Sequence, residues 1–266
     1  MIQNAVTNIT AVIKAKDEER QIVEAVESAL RLASRVLVID DNSADATATL
    51  AWAAGAEVIP AIAHHGQIDL LDKQGFMLVE DGWIVRMDAD ERLTDELIGE
   101  LRRIVHSGVS ASAEYARLNH MFGAAVRHGG WFLPHQRGFF RADSWSRDWD
   151  AHMHTQVPVT GLIETIAPSR AWMIHLDYDD IATFVRRSLS GYAAVEAREM
   201  FESGVKFRLG GLLVEPWKRT FGRYFIRQGY RDGLRGLVLA GLLGAYDIAK
   251  WSFLWELEKN EKGPKA

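Results

Sequence analysis

Trp83-Ile84-Val85-Arg86-Met87-Asp88-Ala89-Asp90-Glu91 is a largely apolar run that gives out in two carboxylates set two residues apart. A strand repeats its side-chain direction every two residues, so strand geometry points Asp88 and Asp90 the same way, roughly 6–7 Å apart. At the carboxyl edge of an open α/β sheet, where ligands of such sheets bind, a pair of this kind suits Mn2+ or Mg2+ held against a diphosphate. Acids after a strand also cap the following helix, so the surrounding elements have to decide between the two readings.

Working outward, residues 9–14 read as a first buried strand, and Ile22, Val26 and Leu30 recur at helical spacing in a helix over 19–32. Val36-Leu37-Val38-Ile39 is a continuous apolar run of the kind found in parallel sheets covered on both faces. A second helix carries Thr47, Leu50, Ala51 and Ala54 on one side and stops at Gly55, and residues 57–60 supply a third strand. Residues 69–80 are helical in pattern, and Gly82 leads into the strand that ends at the paired aspartates. This βαβαβαβ alternation predicts an α/β fold with a mostly parallel sheet and right-handed crossovers. Thr94 with Asp95 and Glu96 opens a further helix, residues 114–118 and 138–141 read as strands, and a long helix is expected over 180–203, ended by Gly204.

The chain has 266 residues, of which 48% are hydrophobic, enough for one large α/β domain plus an appendage. It contains no cysteine, which excludes disulfides, thiolate metal sites and a cysteine nucleophile. The first ten residues lack a basic region followed by a long apolar core, so no signal peptide is expected and the cytoplasm is the default compartment. Residues 1–200 carry 19 Lys and Arg against 29 Asp and Glu, whereas residues 201–266 carry 12 against 7. An acidic body lacks the basic footprint that nucleic acid requires. Neither G-x-G-x-x-G nor G-x-x-x-x-G-K-[ST] occurs, which argues against a dinucleotide-binding dehydrogenase and a P-loop ATPase.

Asp40-Asp41-Asn42-Ser43-Ala44-Asp45-Ala46-Thr47 sits on the turn between the second strand and the second helix. There an aspartate can accept from a base or ribose, and free N–H groups at the helix start favour an anion. Lys16-Asp17-Glu18 after the first strand falls on the same sheet edge as this turn and the D-x-D.

With Val12-Ile13-Lys14-Ala15-Lys16-Asp17-Glu18-Glu19, the acidic turn, Gly82-Trp83 leading to Asp88-Ala89-Asp90-Glu91-Arg92, His128-Gly129-Gly130-Trp131 followed by Gln136 and Phe139-Phe140-Arg141, and Arg227-Gln228-Gly229-Tyr230-Arg231-Asp232-Gly233 with Gly236 and Leu254-Trp255-Glu256-Leu257, the chain resembles the family 2 glycosyltransferases of the GT-A fold. The branch it resembles is that of the lipopolysaccharide-core β-glucosyltransferase-like proteins. The resemblance implies inverting transfer of a sugar, with glucose expected, from a UDP-sugar to an envelope glycan or lipopolysaccharide-core acceptor. It implies donor contacts from Lys16, Asp17, Asp40, Asp41, Lys73, Asp88 and Gln136, and a Mn2+ or Mg2+ ion on Asp88, Asp90 and His154. Such an ion neutralises charge on the departing nucleotide.

Two positions depart from the family pattern. His154-Thr155 stands where relatives carry a His-Glu pair, and Leu133-Pro134-His135 stands where an aspartate is common. A general base contributes about 10²–10⁴-fold in rate, roughly 3–5 kcal/mol of barrier. Asp150, Glu164 and Glu91 are the candidate replacements, with Asp148 beside them, and a catalytically degenerate relative that binds a sugar nucleotide or a partner is the alternative reading. His64, His65, His128, His135 and His152 lack zinc-site spacing.

The tail is chemically distinct. Arg219, Arg223, Arg227, Arg231 and Arg235 recur every four residues beside Trp217, Phe221 and Phe225, so a continuous helix there would carry adjoining cationic and aromatic stripes, which Gly229 and Gly233 threaten to break. The apolar run at 237–246 ends at Asp247 and Lys250, too short to span a bilayer. The expectation is a catalytic domain over 1–205 and a basic helical extension over 206–266 that docks on the inner membrane face or in a homodimer.

Overall fold

The computed structural model of the protein describes residues 8–62, 69–150 and 156–261, with residues 133–135 as backbone alone. Strands β1 (Ile9–Ala15), β2 (Arg35–Asp40), β3 (Glu57–Pro60) and β4 (Trp83–Asp88) are parallel neighbours in the spatial order β3-β2-β1-β4. Helices α1 (Ile22–Leu30), α2 (Thr47–Ala53) and α3 (Asp69–Met77) make the crossovers.

The two faces of these strands fill two cores. Ala11, Ile13, Val36, Val38, Val85 and Met87 pack with Ile22, Ala25, Val26 and Ala29 of α1. Val12, Leu37, Ile39 and Ile84 pack with Leu71 and Phe76 of α3. Burying a side chain such as Phe76 stabilises by about 2–3 kcal/mol. Gly75 lets α3 approach this closely, because a Cβ there would lie 2.3 Å from Val12.

The sheet continues from β4 through β8 (Leu133–Arg141), β6 (Ser112–Met121) and β10 (Trp172–Tyr178) to β5 (Glu91–Leu93), with β7 (Ala124–Ala125) and β9 (Ile163–Thr165) both paired to β6. Strand β8 runs antiparallel to both neighbours. Helix α4 (Asp95–Ser107) starts where Thr94 accepts from the Leu97 N–H at 3.1 Å and stops at Gly108, whose φ of 63° is left-handed. This mixed, mostly parallel sheet with helices is the α/β class expected. Strands β5, β9 and β10 were not legible as strands.

Two compact units divide the chain, one of residues 1–117 and 133–175, the other of residues 118–132 and 176–266. The first holds the parallel strands and the acidic motifs. Position 205, where the extension was expected to begin, falls inside the second.

In the second unit α5 (Ile181–Phe184), a π-helical stretch (Val185–Tyr192) and α6 (Ala193–Glu202) form the long helix expected, opened by Asp180, which accepts from the Thr183 N–H at 2.6 Å. Then come α7 (Leu209–Phe221), a π-helical turn (Gly222–Ile226), a 3-10 turn (Gly229–Asp232) and α8 (Gly233–Glu261). The helix breaks at Gln228, which is left-handed at φ 57°, so the five arginines do not share one helical stripe. Three of them turn inward: Arg219 to Asp247 at 2.6 Å, Arg223 to the carbonyls of Gly129 and Gly130 at 2.8 and 2.9 Å, and Arg235 to the Phe122 carbonyl at 3.2 Å. The two glycine-rich blocks therefore meet. Asp232 accepts from the His128 N–H at 2.8 Å and contacts its Nδ1 at 2.9 Å, while Arg223 lies over the Trp131 ring.

Candidate active site

The parallel strands put Lys14 level with Asp88 and Ala15 level with Asp40, so three acidic turns share one edge of the first unit. Strand β4 ends at Asp88 and does not carry its alternation on to Asp90. The reason is local: Glu91 folds back and accepts the Asp88 N–H at 2.9 Å, closing a tight turn. Arg92 locks that turn from below, donating to the carbonyls of Ala89 and Glu91 at 2.9 and 2.8 Å and to the Gln21 carbonyl at 2.9 Å.

Asp88 is held by cations. Its Oδ1 lies 3.0 Å from Lys14 Nζ and its Oδ2 3.9 Å from Arg117. Lys14 also pairs with Asp72 at 3.0 Å, and Arg86 meets Asp72 at 2.7 Å and Asp69 at 3.3 Å. Burial alone would raise the Asp88 carboxyl, but Lys14, Arg86 and Arg117 outweigh it and hold the group far below the ordinary carboxylate range. Burial likewise opposes the Lys14 ammonium, and Asp72 and Asp88 hold it well above its ordinary value. Lys14, Arg86, Asp69 and Asp72 were absent from the expected site. The signal was available: Lys14 and Arg86 are cations inside apolar parallel strands, and Asp69 and Asp72 share a helix face at i, i+3.

Asp90 is arranged differently. Its Oδ2 lies 3.3 Å from His175 Nε2, and its Oδ1 is buried without a hydrogen-bond partner. The antiparallel pairing of β10 with β5 sets His175 opposite Glu91, which delivers the imidazole to Asp90. Burial would lower the His175 pKa, but the Asp90 carboxylate raises it above the ordinary value. His175 escaped sequence reading because β10 did.

Two features of this edge suit a divalent cation, an excess of carboxylates over permanent cations and the unpartnered carboxylate oxygen of Asp90. Five carboxylates (Asp69, Asp72, Asp88, Asp90, Glu91) face three permanent cations (Lys14, Arg86, Arg117), and the orphaned Asp90 Oδ1 is a hard oxygen donor. Among the described residues no three His, Cys, Asp or Glu groups converge into a complete cation site. His154, the third expected ligand, lies outside the described residues, as do His64, His65, His152 and Thr155.

The remaining expected donor residues divide into two sets. Lys16 pairs with the buried Asp41 at 3.0 Å. Asp17, left-handed at φ 54°, accepts the Ala44 N–H at 2.7 Å, and Asp40 accepts the Ser43 hydroxyl at 2.5 Å. Of the N–H groups at the start of α2, that of Ala46 donates to Glu19 at 3.3 Å and that of Thr47 to Asp45 at 2.9 Å. Gln136 lies in β8, where it pairs with Tyr115 of β6. Lys73 is not brought to this edge: neighbouring Asp72 points inward, and the Lys73 ammonium donates to the Trp149 carbonyl at 2.9 Å.

The candidate bases have partners of their own. Glu91 is buried, with Oε1 3.3 Å from Arg117, and burial together with Asp88 raises its pKa. Glu164 pairs with Arg103 and lies level with Val85 through Ala113 and Phe139, about 10 Å along the strand direction from Asp88. Asp150 is exposed and borders residues outside those described.

Residues 10–141 match the profile described as Glycosyl transferase family 2. Curated relatives include uncharacterized glycosyltransferases of Rickettsia typhi, 36% identical over 101 residues, and Rickettsia bellii, 34% identical over the same length; each match covers 37% of this chain and 33% of the relative. The chain thus spans about a third of the length of the curated relatives it matches. Solved structures similar to it include S. aureus TarS 1–349, with 10% identity, 95% of this chain and 92% of that one covered, and a TM-score of 0.47. Another is glucosyl-3-phosphoglycerate synthase from Mycobacterium tuberculosis in complex with Mn2+ and UDP-glucose, with 19% identity, 44% and 45% coverage, and a TM-score of 0.37. The acidic edge described above lies mostly within residues 10–141, the segment that matches the Glycosyl transferase family 2 profile.

Proposed function

We propose that the protein is an inverting hexosyltransferase that moves a sugar, with glucose expected, from a UDP-sugar to an envelope glycan or lipopolysaccharide-core acceptor at the inner face of the plasma membrane. The observation that carries the reading is the buried, unpartnered Asp90 Oδ1 on a parallel-sheet edge where Asp40 and Asp88 also end their strands. Burying a carboxylate oxygen with no partner costs about 1–3 kcal/mol or more, a cost that a ligand would offset. Asp90 and Asp88 would hold a Mn2+ or Mg2+ ion, with His154 as the third expected ligand, and the ion would supply charge neutralisation to the departing nucleoside diphosphate. Lys14 and Arg117 fix the Asp88 carboxylate in its ionised form, and Arg92 fixes the backbone of the turn between the two acids. Asp17, Asp40, Asp41 and Lys16 line the nucleoside end.

The test is transfer and donor hydrolysis with UDP-hexoses and Mn2+. Asp90→Asn should lower turnover by at least 100-fold, a loss in the range seen when one electrostatic stabiliser is removed. Failure to turn over any UDP-hexose, with or without membrane acceptor, would reject the enzyme reading.

The second reading is a binding relative without turnover. It is favoured by the commitment of Glu91 to Arg117 and of Glu164 to Arg103, which leaves neither free to take a proton from an acceptor.

A further inference from the structure

Helix α7 and the π-helical turn after it carry Leu209, Leu213, Trp217, Phe221 and Phe225 at strict four-residue spacing, and all five are exposed, Trp217 to 77%. Ile226, 73% exposed, extends the stripe. The opposite side of the same helix is fully engaged. Gly211 sits against the Trp251 ring, where a Cβ would lie 2.2 Å away; Glu215 accepts from Trp251 Nε1 at 2.9 Å; Thr220 donates to the Ala240 carbonyl at 3.1 Å. The helix is thus docked on α8 by one face and bare on the other. Contiguous exposed apolar surface of this kind marks an interaction site.

Charge decides what covers it. Residues 205–235 hold eight Lys and Arg against two acids, Glu215 and Asp232. Both acids are engaged inside the unit, Glu215 with Arg208 and Trp251 and Asp232 with His128. Arg208, Arg219, Arg223 and Arg235 are engaged as well, which leaves Lys206, Lys218, Arg227 and Arg231 exposed, and a second copy of this chain would bring the same four cations against them. An anionic lipid surface offers the opposite: apolar depth for Trp217, Phe221 and Phe225, and phosphate headgroups for the exposed cations Lys206, Lys218, Arg227 and Arg231.

We infer that the exposed Leu209-Leu213-Trp217-Phe221-Phe225 face of α7 lies in the headgroup layer of an anionic bilayer, and that the contact is peripheral. This deepens the membrane placement proposed above by naming its face. Helix α8, with 29 residues, is by length and composition the one described helix able to cross a membrane. Its middle, however, holds Asp247 and Lys250, both buried: Asp247 meets Arg219 at 2.6 Å and Lys250 at 3.1 Å, and Lys250 meets Glu196 at 3.0 Å. Spanning would strip these charges of the α6 and α7 groups that pair them. The arginines that the bare sequence offers to the membrane are thus partly internal, and the apolar face supplies the insertion.

The test is sedimentation of the full chain with vesicles of 70% phosphatidylcholine and 30% phosphatidylglycerol, and with pure phosphatidylcholine. The expected result is partitioning at least fivefold stronger to the anionic vesicles. Trp217→Ser combined with Phe221→Ser should weaken it at least tenfold, with an unchanged thermal midpoint and unchanged hydrolysis of soluble UDP-sugar. Lys218→Glu, a single change at the edge of the stripe, should weaken it severalfold. Equal partitioning to both vesicles, unaltered partitioning of the double variant, or a stable dimer in light scattering that the double variant dissolves would overturn the inference. So would retention in cell membranes after an alkaline carbonate wash. Vesicle binding without sugar turnover would instead count against the enzyme reading alone.

Discussion

Lys14 Nζ stands 3.0 Å from Asp88 Oδ1 and at the same distance from Asp72, so one ammonium on β1 ties the metal-motif aspartate to helix α3. Removing one member of a buried pair leaves an uncompensated charge and costs about 3–5 kcal/mol. Lys14→Met should destabilise by about 3 kcal/mol, and the Lys14→Met, Asp72→Leu double variant should cost less than the sum of the two singles, because the pair is lost together while Arg86 loses its own contact with Asp72 only in the variants that lack it. Urea unfolding of the two singles and the double measures the coupling, and strict additivity would show that the two groups do not depend on each other.

Arg92 gives a prediction about turnover. By holding the Ala89 and Glu91 carbonyls to the Gln21 backbone it fixes where Asp90 points. Arg92→Met should lower kcat about tenfold while changing the donor KM less than threefold, since misplacement of a transition-state group is felt mainly in kcat. Steady-state kinetics on UDP-sugar hydrolysis separates the two. A rise in KM with kcat intact would move Arg92 from orientation to simple donor binding.

Tyr115 is fully buried with its hydroxyl unpartnered, and a Cβ at Gly138 would lie 2.1 Å from that oxygen. Gly138→Ala should therefore cost about 2–3 kcal/mol through overpacking. Tyr115→Phe should be neutral or stabilising by up to about 1 kcal/mol, because it removes a buried donor that has no acceptor. In the Gly138→Ala background the same change should relieve part of the strain. Thermal midpoints of the three variants check this.

In the second unit, Glu196 carries the pH dependence. Burial would raise its carboxyl, but the Tyr246 hydroxyl at 2.6 Å and the Lys250 ammonium at 3.0 Å outweigh burial and hold it below its ordinary value of 4.5. Its folded-state pKa is depressed, so the stabilisation is present above about pH 5 and fades as pH falls through the lowered value. Glu196 is half exposed, and screening reduces the gain to roughly 0.5 kcal/mol. Glu196→Gln should lower Tm by about 2 °C at pH 7, and the difference from the unsubstituted protein should fade as the pH falls below the ordinary carboxylate range.

How much of this was legible depended on whether the signal was local. The apolar runs of β1, β2 and β4 and the turns at Asp40 and Asp88 are contiguous in sequence, so the parallel alternation and the shared acidic edge could be read directly. Strand β10 was not, because Trp172-Met173-Ile174-His175 alternates only weakly and its partner β5 is three residues long; His175 was lost with it. Lys73 was misplaced for a different reason. One residue along a helix is a 100° turn, and the inward position went to Asp72. The arginine stripe is interrupted at Gln228, beside Gly229, one of the two glycines expected to break it.

The most direct test of the central claim is isothermal titration of UDP-glucose into the protein with and without MnCl2, repeated on Asp90→Asn. The account expects binding that strengthens at least tenfold with Mn2+ and loses that dependence in the variant. Binding of equal strength with and without the metal, or a metal dependence that survives Asp90→Asn, would contradict it.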